Sequence, residues 1–194
     1  YDPYWWLADD DRAYLGPGLG ASGEESEPVR AFDAREGLVW RRELDGTATP
    51  LLEEGRLYAV QPARERTTRL DTETGETRWQ RDGELVTAGE RGAYLHRQNR
   101  IASVTPDGEL RWQREVSVLG GDAALSGIEL LDEQLLFWTD HKLLAVGTDS
   151  GETTGVSGFA SLETLAHRFD VDEEEVPTGR VFAVLPDSVV ALSL

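Results

Sequence analysis

Apolar residues in this chain come in short runs that recur at intervals, separated by polar clusters rich in Asp, Thr, Gly and Glu. One set of runs is Ala13-Tyr14-Leu15, Leu57-Tyr58-Ala59-Val60, Ala93-Tyr94-Leu95, Leu135-Leu136-Phe137-Trp138 and Val181-Phe182-Ala183-Val184. Each is followed by a second, alternating stretch that ends in a turn cluster, and several are preceded by a further candidate strand, as in Thr47 to Leu52 before Glu54-Gly55. Period-two alternation over a few residues predicts half-buried strands, and the Gly-containing clusters predict tight turns between them. The count comes to about four short strands per ~40 residues, which favours small sheets packed one behind another. Two stretches break the pattern. Gly16 to Pro28 is too polar and glycine-rich for a strand and is expected to be a long loop within a hairpin. Ser161 to Phe169 carries Leu162, Leu165 and Phe169 at helical spacing, with Ser161 as a possible N-cap, and is expected to be a short inserted helix.

The turn clusters are copies of one another. Arg69-Leu70-Asp71-Thr72-Glu73-Thr74-Gly75-Glu76-Thr77-Arg78-Trp79 aligns with Ala31-Phe32-Asp33-Ala34-Arg35-Glu36-Gly37-Leu38-Val39-Trp40 and with Ser103-Val104-Thr105-Pro106-Asp107-Gly108-Glu109-Leu110-Arg111-Trp112. A fourth copy, Ala145 to Gly155, keeps Gly151 but has Gly155 where the tryptophan falls, and a fifth, Val190 to Leu194, stops before the turn. The apolar anchors Phe32, Leu70, Val104, Val146 and Leu192 lie 38, 34, 42 and 46 residues apart. The motif positions are therefore Asp33, Gly37 and Trp40; Asp71, Gly75 and Trp79; Gly108 and Trp112 with Thr105 in place of the acid; and Gly151.

A strand, an Asp-x-x-x-Gly-x-x-x-Trp turn and a period near 40 residues resemble the PQQ-like repeat. That repeat builds the β-propellers of quinoprotein dehydrogenases and of the outer-membrane assembly lipoprotein BamB. The resemblance implies an all-β fold, a β-propeller of four-stranded antiparallel blades, with blades near 1–46, 47–83, 84–118, 119–158 and 159–194, the fifth short of its last strand. It also implies that each tryptophan docks between neighbouring blades; the alternative is that Trp40, Trp79 and Trp112 fill the cores of their own blades. Five blades are fewer than the family's usual seven or eight. Three closures follow: a compact ring in which the Tyr4-Trp5-Trp6 segment completes the last blade, a piece of a longer propeller, or closure or self-association with another chain. A closed or nearly closed ring is the expectation, because an open arc exposes sheet edges.

Charge narrows the partners. With 37 acids against 19 bases the formal charge is −18, so phosphates and anionic lipid are repelled, and neither nucleic acid nor direct membrane insertion is expected. Lys142 is the only lysine, and the other bases are arginines, which fork onto carboxylates and are expected in ion pairs with the surplus acids. An acid surplus almost without lysine is what a salt-adapted proteome looks like, or a GC-rich coding bias; salt adaptation is the expectation here. Zero cysteines exclude disulfides, a thiolate nucleophile and Cys-ligated zinc. No apolar run approaches the ~18 residues of a membrane-spanning helix.

Candidate chemistry is sparse. The acidic run Asp170 to Glu175 offers Asp170, Asp172 and Glu173 as calcium ligands, although it lacks the alternation and central glycine of an EF-hand loop, and Asp9-Asp10-Asp11 is no better formed. His96, His141 and His167 lie in three different repeats, and no Gly-x-Ser-x-Gly elbow occurs. Quinoproteins of the resembled family hold PQQ with an aromatic floor, a calcium with acidic and amide ligands, and usually a vicinal disulfide. This chain has no cysteine and a single asparagine, Asn99, and no cofactor ligand carries over residue by residue. No catalytic or cofactor-binding residue is therefore assigned and no cofactor is expected. The resulting expectation is a non-catalytic recognition scaffold for a protein partner, outside the cytoplasm or in the cell envelope as the family resemblance implies. A PQQ-dependent dehydrogenase, or its degenerate relative, and an extracellular calcium- or glycan-binding module are the alternatives.

Overall fold

The computed structural model describes residues 4–17, 28–115, 127–131, 133–138, 142–158, 164–168, 180–185 and 188–192. Over these residues the chain is built of antiparallel strands and one 3-10 turn at Pro62–Arg64. It divides into two compact units, Tyr1–Gln113 and Arg114–Leu194.

In the first unit, β1 (Tyr4–Ala8), β2 (Arg12–Pro17), β3 (Val29–Asp33) and β4 (Gly37–Arg42) pair in sequence order as one sheet. A second sheet holds β5 (Thr49–Glu53), β6 (Arg56–Gln61), β7 (Arg66–Leu70) and β8 (Thr77–Asp82). A third holds β9 (Glu84–Gly89), β10 (Gly92–Arg97), β11 (Arg100–Val104) and β12 (Leu110–Glu115), whose last two residues, Arg114 and Glu115, fall in the second unit. The second unit carries β13 (Gly127–Leu131), β14 (Gln134–Trp138), β15 (Lys142–Gly147) and β16 (Thr153–Gly158) in one sheet, and β17 (Thr164–Arg168), β18 (Arg180–Leu185) and β19 (Ser188–Leu192) in another. Every sheet is a meander, so each strand needs only a short connection to its neighbour.

Burial explains the composition of each strand. From Leu57 to Gln61 every residue of β6 is buried, whereas in β8 only Trp79 is. Side chains alternate across a strand, so consecutive residues of β6 serve different cores. Leu57 and Ala59 join Tyr14, Val29, Ala31 and Trp40 of the first sheet, while Tyr58 joins Ala93, Leu95 and Val104 of the third. The second sheet is thus covered on both faces, which is why its inner strand reads as a continuous apolar run. The outer strands β8 and β12 carry Arg-Trp-Gln-Arg at 78–81 and 111–114. Their charges blunt an otherwise open edge.

Three sequence expectations are corrected here. Thr164–Arg168 is a strand and not a helix: Leu165 stands opposite Ala183 and His167 opposite Val181. The apolar strand β18 offers a full ladder of hydrogen bonds, and that pairing outweighs a local helical spacing. Tyr4–Trp6 does not complete the last sheet; it pairs with β2 of the first, with Trp6 opposite Leu15, because the Asp9 turn folds it straight back. Gly16 and Pro17 belong to β2, opposite Trp5 and Tyr4. The rest of the expected loop, 18–27, lies outside the described residues.

Candidate functional site

The Asp positions of the repeat build turns. Oδ1 of Asp33 accepts hydrogen bonds from the backbone N–H groups of Arg35 (2.6 Å) and Glu36 (3.0 Å), and Oδ1 of Asp71 accepts them from Glu73 (3.0 Å) and Thr74 (2.8 Å). Thr105 keeps part of this role, since its hydroxyl oxygen accepts from Glu109 N–H at 3.0 Å. Gly75, Gly108 and Gly151 each close the turn by donating N–H to the backbone oxygen of the Asp, Thr or Gly that opens it, at 2.9 Å. The Arg78 guanidinium, bonded to Oδ2, and the Thr74 and Glu73 donors hold the Asp71 carboxyl at about 2, although its partial burial opposes them. A folded value below the unfolded one means stabilisation that is complete above pH ~4 and lost as pH falls toward 2. Because Arg78 is mostly exposed, the contribution is about 1 kcal/mol. Asp71→Asn is expected to flatten the acid limb of the stability curve by that amount, measured by urea unfolding between pH 2 and 5; an unchanged limb would contradict the role given to Arg78.

The tryptophans build seams. Trp40 Nε1 donates to the carbonyl oxygen of Thr72, and Trp79 Nε1 to that of Pro106, each at 3.0 Å. Thr72 and Pro106 lie in the turn of the next repeat. The indole faces lie on that turn's glycine: a β-carbon on Gly75 would be 2.6 Å from the Trp40 ring, and one on Gly108 would be 2.6 Å from Trp79. Inside its own sheet each ring leans on a buried tyrosine, with centroid distances of 6.1 Å for Tyr14–Trp40, 5.9 Å for Tyr58–Trp79 and 6.0 Å for Tyr94–Trp112. Tyr14 stands opposite Ala31, which stands opposite Trp40; the same register in the fourth sheet runs Leu136, Ala145, Gly155. Tyrosine and tryptophan are therefore replaced together there.

Arginines complete the seams. Arg12 and Arg69 donate to the same carbonyls, Thr72 and Pro106, that accept the indoles. The residue two after each tryptophan also reaches the turn of a following repeat or the strand that leaves it. Arg42 Nη2 donates to Thr77 Oγ1 (3.0 Å), Arg81 donates through Nε and Nη2 to Gly108 O (2.9 and 2.6 Å), and within the second unit Arg114 Nε donates to Gly151 O (3.0 Å). Ion pairs with acids do occur, as between Arg64 and Asp45. Yet carbonyls of neighbouring turns take many of the guanidinium donors that composition alone assigned to carboxylates. The Arg-Trp-Gln-Arg recurrence was the available signal for this.

The remaining sequence candidates do not converge. Asp170, Asp172 and Glu173 lie outside the described residues, as does His141. Asp9 caps the β1–β2 hairpin: its carboxylate accepts from Asp11 N–H, Arg12 N–H and the Tyr14 hydroxyl at 3.0, 2.8 and 2.9 Å. Burial raises the Asp9 carboxyl, but these donors and the Arg12 charge outweigh it and hold it below the usual range. Burial and Asp9 together push the Tyr14 hydroxyl up. His96 is half-buried in β10 opposite Ile101, and His167 sits in β17. Among the described residues no group of three or more His, Asp or Glu is placed to hold a metal ion.

One concavity lies beside the seam between the second and third sheets. A cavity of about 420 Å³ opens between the second and third sheets, with Leu95, Val104 and Leu110 in its wall and Arg66, Arg81, Arg97 and Arg100 around it. Asp82 is the only acid in that lining.

Small sheets of this kind, linked by tryptophan seams, define a β-propeller, and solved structures bear this out. BamB from Moraxella catarrhalis superposes with a TM-score of 0.58 at 20% identity, covering 92% of this chain and 56% of that one. The BBS1N structure, solved in complex with ARL6DN, gives 0.57 at 10% identity over 97% of this chain and 63% of that one. Dihydro-heme d1 dehydrogenase NirN, in complex with DHE, gives 0.58 at 11% identity over 81% and 37%. This chain thus spans between about a third and two thirds of the length of those structures. The family model described as outer membrane protein assembly factor BamB matches residues 9–164, and the chain belongs to that family of PQQ-like repeat proteins. No curated protein matches it in sequence. Such different proteins on one fold mean that the fold alone does not choose the activity.

Proposed function

We propose that this chain is a non-catalytic propeller scaffold that recognises a protein partner, exported and adapted to salt. The observation that carries the reading is where the repeat's polar groups go. Asp71, Trp79, Arg69 and Arg81 each bond to the backbone of their own turn or of the next one, so the motif builds a frame. A rigid frame of repeated sheets presents loops and inter-sheet grooves as recognition surfaces. Membership of a family described as an outer-membrane assembly factor supports a partner-binding role and an address in the envelope. Among the described residues no helix is long and apolar enough to cross a membrane.

In-cell cross-linking of the full-length protein is expected to give a discrete protein adduct at reproducible positions. Titration with PQQ and calcium is expected to show no tight stoichiometric binding; stoichiometric quinone binding would replace the scaffold reading with the dehydrogenase one. Chelator-sensitive melting would favour a calcium module. Salt adaptation has its own check. Repulsion at a charge of −18 is screened by ions, so the melting temperature should rise from low salt to molar salt, and no change would remove that part of the proposal.

A further inference from the structure

We propose that the arginine-lined groove between the second and third sheets receives an acidic, aliphatic-bearing segment of the partner protein, held through Arg66 and Arg100. The inference rests on the scaffold reading and gives it an address.

Charge is the first argument. In a chain at −18, four of the 19 basic residues surround one cavity, against a single acid. The arginines are not equivalent. Arg97 is engaged by Glu65 (3.1 Å) and Asp82 (2.8 Å), and Arg81 is committed to Gly108 O. Arg66 and Arg100 make no side-chain hydrogen bond or ion pair among the described residues, so their donors face the groove without a protein acceptor. Elsewhere in the first unit Arg12, Arg56, Arg64, Arg69 and Arg78 have such acceptors, and Arg30 and Arg35, which have none among the described residues, do not line the groove.

Apolar lining is the second argument. Leu95 and Val104 are buried at the base, and Leu110, on the outer strand β12, is 52% exposed. Only Trp6 and Leu38 share that degree of exposure among large apolar side chains of the described residues. A compact phosphate would bury none of this surface and would meet Asp82 as a dianion. A peptide carrying one aliphatic side chain and flanking carboxylates satisfies both parts of the groove, since guanidinium forks accept carboxylates and the volume admits a side chain.

The test uses the full chain and two fluorescein-labelled peptides, Asp-Glu-Leu-Asp-Glu and its isosteric amide Asn-Gln-Leu-Asn-Gln, followed by anisotropy. The acidic peptide is expected to saturate below about 1 mM at low salt and to weaken about tenfold or more in Arg66→Gln/Arg100→Gln. The charge-matched variant Arg35→Gln/Arg41→Gln, away from the groove, is expected to weaken it less than about twofold. Melting temperatures of both variants should stay near the wild-type value, because neither Arg66 nor Arg100 holds a neighbour and the Arg41–Glu43 ion pair of the control is exposed on both sides. Leu110→Asp should also abolish binding. The proposal is overturned by no saturable binding, by equal binding of the amide peptide, or by equal weakening in the control variant, which would mean diffuse attraction. Displacement by millimolar inorganic phosphate would overturn it in favour of a phosphate site. If these tests fail while the cross-linked adduct persists elsewhere on the molecule, the groove is wrong and the scaffold stands.

Discussion

Replacing Trp79 with alanine is expected to cost about 3–5 kcal/mol of unfolding free energy. The ring is 7% exposed and touches three things at once. It rests on Tyr58 of its own sheet, covers Gly108 of the next, and donates to Pro106 O. Truncation therefore removes apolar contact, opens a cavity and leaves a turn carbonyl with one donor fewer. Pro106 O retains Arg69, so the lost hydrogen bond is the smaller share. Trp79→Phe should recover most of the packing and lose the bond, at a cost nearer 1–2 kcal/mol. Equilibrium urea unfolding reads both; a loss below ~1 kcal/mol for alanine would show that the ring is not at a packed seam.

The second large effect is expected from the smallest change. Gly108 has φ +88 and the Trp79 ring against it, so Gly108→Ala meets two penalties. A left-handed conformation costs a non-glycine residue roughly 1–2 kcal/mol, and forcing a methyl into a filled space costs roughly 1–3 more. The total expected is about 2–5 kcal/mol. Gly37 supplies the control. It has nearly the same backbone, φ +78, but a β-carbon there would meet nothing within 4 Å. Gly37→Ala should therefore show the conformational penalty alone, about 1–2 kcal/mol. Equal costs at the two positions would mean that the indole contact adds nothing.

What could be read from the residues was what repeats locally. Strand, turn and tryptophan recur within about eleven residues, and Asp71, Gly75 and Trp79 are enough to name the motif. The partners of those residues were less visible, because they lie one repeat away: Trp40 meets Gly75, and Trp79 meets Gly108. The tyrosines Tyr14, Tyr58 and Tyr94 were present in the apolar runs but carried no mark of their role until register set each one beside a tryptophan. At Thr164–Arg168 a helical spacing of leucines was misleading, since pairing with β18 decides a segment so short. The groove was invisible in the sequence for a different reason. Arg66, Arg97 and Arg100 belong to different strands, and only the packing of two sheets turns scattered charges into one lining.

The central claim is that an indole from one repeat is clamped onto the glycine of the next, and a double-mutant cycle between Trp40 and Gly75 measures it. The three atoms nearest to a β-carbon on Gly75 all belong to the Trp40 ring, so in the Trp40→Ala background Gly75→Ala should cost no more than Gly37→Ala does, a coupling of about 1–3 kcal/mol. Costs that simply add, with no coupling between the two sites, would contradict the clamp.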